Sequence, residues 1–149
     1  MRAVLQRVSS ASVTVEGQQI ASIERGLMIL LGIKKGDTEK EAKYLAEKCA
    51  GLRIFSDKEG RINLSARDVG GEMLVVSNFT LYGDSKRGKR PSFTEAAGSA
   101  EAAPLYERFI KELEEHGFSP QTGQFGADMS VALVNDGPIT IFMDTEDMM

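Results

Sequence analysis

A chain of 149 residues, 42% of them hydrophobic, is long enough for one domain with a buried core. Its formal charge of −4 does not advertise a nucleic-acid binder, although a local basic patch can still steer one. The lone Cys49 and lone His116 exclude an internal disulfide, a cysteine metal cluster and a zinc site built on two or three histidines of one chain.

No apolar run approaches the roughly 18 residues of a membrane span. Met1-Arg2-Ala3-Val4-Leu5-Gln6-Arg7-Val8 is interrupted by polar residues and does not read as a signal peptide. A single cysteine fits a reducing cytoplasm, the expected compartment. Ala3 to Val8 and Ser12 to Val15 alternate like strands, and Glu16-Gly17 offers a hairpin turn toward Gln19 to Ile23. Leu27 to Leu31 is a continuous apolar run, as expected of a strand buried on both faces. Thr38 and Glu41 have capping-box spacing. Ala42, Leu45, Ala46 and Cys49 follow at helical spacing, and Gly51 ends that helix.

Leu52 to Phe55 and Arg61 to Leu64 flank Ser56-Asp57-Lys58-Glu59-Gly60, a second hairpin signal. Ala102, Tyr106, Phe109 and Leu113 mark a second helix, with Pro104 expected in its first turn. His116 stands at the end of that helix, before Gly117, where a cation suits the dipole and glycine suits the C-cap; this structural role is preferred to a catalytic one. Met129 to Val134 and Ile139 to Met143 supply the last strands. Short turns join most of these strands. The expected class is therefore α+β, mostly antiparallel sheet with two main helices packed on it. No repeat, low-complexity segment or linker divides residues 1–149, which read as a single domain.

Two segments place polar or bare backbone where a strand leaves the core. Ser77-Asn78-Phe79-Thr80-Leu81 closes the apolar run Met73 to Val76. Asn135-Asp136-Gly137-Pro138 interrupts the apolar residues on either side of it. Proline cannot donate to a ladder and glycine has no side chain, so Gly137-Pro138 shows bare carbonyl groups, as a plain turn or as a main-chain recognition element. Between these segments, Gly83 to Phe93 carries Lys86, Arg87, Lys89 and Arg90. That stretch reads either as a solvated loop or as a contact for a phosphate backbone.

Taken together, Ser77-Asn78-Phe79-Thr80-Leu81, the basic stretch through Pro91-Ser92-Phe93, Thr122-Gly123-Gln124-Phe125-Gly126-Ala127-Asp128-Met129 and Asn135-Asp136-Gly137-Pro138 resemble the D-aminoacyl-tRNA deacylases. The N-terminal Met1 to Val8 is similar as well, and the five segments fall in the same order along nearly the whole chain. The resemblance implies a barrel-like sheet core and hydrolysis of the ester joining a D-amino acid to the 3′ end of tRNA. It also implies removal of glycine from mischarged tRNA. Further implications are a homodimer with active sites at the subunit interface, and no metal or cofactor. In the family the first motif usually reads Ser-Gln-Phe-Thr. Asn78 is one methylene shorter, which puts in doubt any contact made by the longer side chain.

Ester hydrolysis needs a nucleophile and donors for the developing oxyanion, and the backbone at Phe79 and Thr80 can supply N–H groups. A nucleophilic Thr80 lacks a base: no histidine is available and the Ser77–Leu81 motif holds no carboxylate. Thr80 is therefore expected to position substrate or water, with the 2′-hydroxyl of the terminal adenosine assisting. By resemblance, the Gly137–Pro138 bond is cis and enters the partner's site, where its carbonyls accept from the substrate ammonium and leave no room for an L side chain.

Other assignments are weaker in kind. Arg7 belongs to the substrate and adenosine pocket, bracing the Gly-Pro loop or making a surface ion pair. Phe125 and Met129 wall the adenine or fill the core. Ser77 caps the turn or joins the site. Two rivals stand beside the deacylase reading: a general esterase dependent on Thr80, and a tRNA-binding module without catalysis.

Overall fold

The computed structural model describes residues 1–149. The first strand, β1, runs unbroken over Arg2–Val15, joining the two segments expected from the alternation. Then come β2 (Gln18–Ile23), β3 (Gly26–Gly32), α1 (Glu39–Gly51), the short hairpin β4 (Phe55–Ser56) and β5 (Ile62–Leu64), and β6 (Glu72–Ser77). A 3-10 turn at Phe79–Tyr82 leads toward α2 (Ser99–Glu115), β7 (Gln121–Thr122), β8 (Ser130–Asp144) and α3 (Thr145–Met148).

The main sheet has the order β2-β1-β3-β6-β7, with β8 also paired to β1. β1 is antiparallel to β2, β3 and β8, as expected. The β3–β6 and β6–β7 pairs are parallel, so the sheet is mixed, although most of its pairing is antiparallel, as expected. Two adjacent strands can run the same way only if the chain returns to its starting end, and the stretch holding α1 and the β4–β5 hairpin does this between β3 and β6. The result is an α+β fold in which a nearly closed, barrel-like sheet carries α1, α2 and the short α3.

Burial explains the placement. Every residue of β3 except Leu30 is buried, because both faces of the strand are covered: Leu27, Ile29 and Leu31 pack in the cluster that includes the helix residues, and Met28 in the second cluster with Val8, Val13 and Leu74. On α1 the Thr38 capping box is present, and Ala42, Leu45, Ala46, Cys49 and Ala50 face the core. On α2 the buried stripe includes Ala102, Tyr106, Phe109 and Leu113, and the Tyr106 hydroxyl donates to the Val75 carbonyl of β6 at 2.9 Å. Burial pushes that phenol well above its ordinary range, so it remains a donor. Pro104 is the sixth residue of α2 and not in its first turn, because Gly98, without a side-chain cap, starts the helix early.

α2 ends as the sequence anticipates. The Phe118 N–H donates to the Leu113 carbonyl at 3.1 Å and the Gly117 N–H to the Glu114 carbonyl at 2.9 Å, the paired bonds of a Schellman cap around His116.

The last strand holds the largest departure from simple alternation. Gln6 pairs with Thr140 and Val8 with Asn135. Asp136 to Ile139 therefore stand opposite the single residue Arg7, and Gly137-Pro138 bulges out of one continuous strand rather than linking two.

Candidate active site

β6 delivers Ser77 to the edge of the barrel, and the chain then turns sharply. The Asn78 N–H donates to the Leu31 carbonyl at 2.8 Å, fixing the start of the turn to β3. Gly32 makes room for it. A Cβ there would stand 2.9 Å from the Leu81 Cβ and 3.2 Å from the Asn78 carbonyl oxygen.

The cap of the 3-10 turn is Asn78 and not Ser77, which remains in the β3–β6 ladder opposite Leu31. The Asn78 Oδ1 accepts from the Thr80 N–H at 3.2 Å and from the Thr80 hydroxyl. Two consequences follow for chemistry. The Thr80 N–H is occupied, whereas the Phe79 N–H has no partner within the chain. With its proton committed to Asn78, the Thr80 hydroxyl presents lone pairs to whatever lies in front of it.

In front of it is a cleft of about 660 Å³. Ser77, Asn78, Phe79 and Thr80 form one side, and Phe125 through Met129 form another. Phe125 and Met129 both line the cleft and pack against the core. Phe125 packs on Tyr106 with ring centroids 5.7 Å apart, and Met129 packs against the Val8–Val76 cluster.

Other parts of the lining were not singled out as site residues from the sequence, among them Leu30, Ile33 and Val131. The start of α2 (Ala97, Gly98, Ser99) closes one end, a position that only tertiary packing reveals. Asp128 is the one carboxylate of the lining, visible in the sequence as part of Thr122–Met129 but without a pattern to mark it.

Arg7 does not line this cleft. Its guanidinium is buried: Nε donates to the Asp136 carbonyl at 2.9 Å and Nη1 to the Ile54 carbonyl at 3.0 Å. The Asp136 carboxylate adds a contact at 3.4 Å. It is thus a brace for the bulge rather than a wall of a nucleotide pocket, because its backbone position on β1 lies directly opposite Asp136–Ile139.

Asn135 closes the same bulge from within. Its Oδ1 accepts from the Ile139 N–H at 2.8 Å, and its Nδ2 donates to the Ile139 carbonyl and Thr140 Oγ1, both at 3.2 Å. The Gly137–Pro138 peptide bond is cis. Gly137 has φ +155°, and a Cβ on it would meet the Ile139 nitrogen at 2.5 Å. Neither Gly137 nor Pro138 lines the cleft of its own chain.

The basic stretch forms a closed loop beside the cleft. Asp84 and Ser92 exchange backbone hydrogen bonds at 2.7 and 2.9 Å. Lys86, Arg87, Lys89 and Arg90 are all exposed, and none joins an ion pair. His116 is remote from this region. It borders a separate hollow with Glu47, Arg53 and Arg67, at the far end of a helix whose start lines the cleft and which is about 25 Å long.

The mixed barrel with helices on it and a cleft walled by a capped turn define a small α+β protein, and its relatives are hydrolases acting on ester bonds. Residues 4–144 match the family described as D-Tyr-tRNA(Tyr) deacylase, and the chain belongs to that D-aminoacyl-tRNA deacylase family. A D-aminoacyl-tRNA deacylase of Roseiflexus castenholzii is 63% identical over 145 residues, covering 97% of this chain and 92% of that one. The Thermotoga petrophila protein of the same name is 55% identical over 148 residues, with 99% of each covered. Among solved structures, one named c-Myc DNA Unwinding Element Binding Protein superposes with TM-score 0.91 at 40% identity, covering 97% of this chain and 99% of that one. A probable eukaryotic D-amino acid tRNA deacylase shares the fold at TM-score 0.79 and 17% identity, covering 95% and 97%.

Proposed function

We propose that the chain hydrolyses the ester between a D-amino acid, or glycine, and the 3′ end of tRNA, working in the cytoplasm as a homodimer. The observation that carries this reading is the Phe79–Thr80 geometry: a free N–H and a hydroxyl with its proton engaged, at the wall of one cleft. The Phe79 N–H is the donor for the oxyanion as the ester carbonyl becomes tetrahedral. The Thr80 hydroxyl, held as a donor to Asn78, accepts from the attacking water or from the adenosine hydroxyl and is not itself the nucleophile. The 2′-hydroxyl of the terminal adenosine moves the proton, so a carboxylate or histidine base is not required. Lys86, Arg87, Lys89 and Arg90 hold the tRNA backbone.

Chirality is read by Gly137-Pro138 of the other protomer. The pair lies outside its own cleft, so a filter made from it has to come from a second copy, with active sites at the shared interface. The half-exposed Val134 and Phe142 on β8 offer that copy an apolar surface. Carbonyl oxygens accept from the α-ammonium group and crowd out an L side chain, while a D side chain points away and glycine has none to exclude. Exclusion of this kind discriminates far more sharply than a pocket that measures methylenes.

The deciding assay follows release of amino acid from D- and L-aminoacyl-tRNA. Release of the D form alone supports the proposal. Equal release of both, or activity on esters lacking RNA, points to a general esterase using Thr80. Binding without release points to a nucleic-acid-binding module, in keeping with the DNA-binding name of the solved structure at 40% identity. A 2′-deoxy terminal adenosine should abolish turnover. Full turnover of that substrate, together with its loss in Asp128→Asn, would instead assign the proton transfer to the one carboxylate of the lining.

A further inference from the structure

Two large apolar side chains stand exposed at the mouth of the cleft: Phe79 is 55% and Phe93 38% accessible. They meet edge to face, with ring centroids 5.2 Å apart and planes at 75°. Their positions are fixed from below. Phe79 begins the capped 3-10 turn, and Phe93 follows Ser92, whose paired bonds to Asp84 close the basic loop. Gly83 leaves the space for Phe93, since a Cβ there would lie 3.1 Å from the Phe93 ring. The pair therefore joins two features. Phe79 lines the cleft, and Phe93 ends the loop bearing four cations without carboxylate partners.

Aromatic faces interleaved with unpaired cations are the combination that holds single-stranded nucleic acid: rings stack on bases and cations follow the phosphates. A second copy of the chain is a poorer occupant. A symmetric contact over this patch would bring two sets of the same four cations together. We infer that Phe93, supported by Phe79, is a stacking platform for the nucleotide immediately preceding the terminal adenosine, with Lys86–Arg90 on the adjoining phosphates. This rests on the aminoacyl-tRNA reading above and adds to it a contact outside the reacting nucleotide.

The test compares three substrates: D-aminoacyl-tRNA, the same tRNA with an abasic residue before the terminal adenosine, and D-aminoacyl-adenosine. Phe93→Ala should lower kcat/KM on intact tRNA roughly 5- to 100-fold more than on the nucleoside, chiefly through KM. Phe93→Tyr should restore most of it. The abasic tRNA should be a correspondingly poor substrate for the wild type, and Phe93→Ala should lose little more on it. Equal losses on tRNA and nucleoside would overturn the platform. So would an abasic tRNA as good as the intact one, or a Phe93→Ala defect accompanied by a change of oligomeric state in light scattering. If the wild type fails to deacylate D-aminoacyl-tRNA at all, the proposed function falls and the platform with it. That outcome is distinct from an active wild type insensitive to Phe93.

Discussion

The Arg7 guanidinium donates to the Asp136 carbonyl at 2.9 Å across the β1–β8 ladder, and through its other arm to the Ile54 carbonyl at 3.0 Å. One buried cation thus ties the Gly137-Pro138 bulge to the segment that follows α1. A charged donor to a carbonyl contributes more than a neutral one, so Arg7→Met should lower stability by about 2–4 kcal/mol. Arg7→Lys should not rescue it, because one ammonium cannot serve two carbonyls in a fixed fork. The variant should also release L-amino acids that the wild type retains. Denaturant melts and a D/L deacylation ratio check both, and unchanged selectivity would remove Arg7 from the account of chirality.

Asn78 and Thr80 form a local hydrogen-bonded unit on which the proposed reaction depends. Asn78→Ala removes the acceptor for both the Thr80 N–H and its hydroxyl. Loss of such a cap costs about 1 kcal/mol locally, and a freely rotating hydroxyl should reduce the single-turnover rate roughly tenfold with little change in KM. Asn78→Asp keeps an acceptor oxygen and should retain more of the rate than the alanine. A pure KM effect in both variants would show that the residue binds substrate instead of orienting Thr80.

The basic loop predicts a salt dependence. If Lys86, Arg87, Lys89 and Arg90 contact phosphates, log KM should rise with log salt concentration. Each contact removed by substitution with Gln should reduce that slope by roughly 0.7. KM for aminoacyl-tRNA over a potassium chloride series provides the measurement. A slope indifferent to all four substitutions would return the loop to the status of a solvated surface.

The Asp144 carboxyl gives a pH limb. Burial alone would raise it. The hydrogen bond from Arg2 Nε at 2.7 Å, the Glu146 N–H and the Arg2 charge outweigh burial, holding it below its ordinary value of 3.8. A carboxylate depressed in the folded chain contributes stability fully present above that ordinary value, and the contribution is lost as pH falls through the lower folded value. The melting temperature should therefore fall below about pH 4, and less steeply in Asp144→Asn, which keeps an oxygen to cap α3. Identical acid limbs in the two proteins would rule out this pair as a contributor.

Much of the fold is legible in the chain itself, because local chemistry decides it. The capping box at Thr38, the buried run Leu27 to Leu31, the stripe Ala102 to Leu113 and the cap around His116 and Gly117 depend on neighbours in sequence, and each forms as its pattern dictates. The first motif likewise holds contiguous residues that line the cleft, since the end of β6 and the turn after it carry Ser77 to Thr80.

What the sequence leaves open is whatever depends on partners distant along the chain. Parallel pairing of β3 with β6 follows from the path of the connection rather than from the strands, whose alternation is the same in either direction. Arg7 has no local sign of its role. Only the register of β1 on β8 puts it opposite Asp136, and only burial makes its two carbonyl partners matter. Local sequence alone specifies the caps of the two main helices, the buried run of β3 and the residues of the motifs. Tertiary structure alone decided that the Phe125–Met129 segment faces that turn while Gly137-Pro138 does not, because strand register and packing, unlike caps and periodicity, are summed over contacts between residues far apart in the chain.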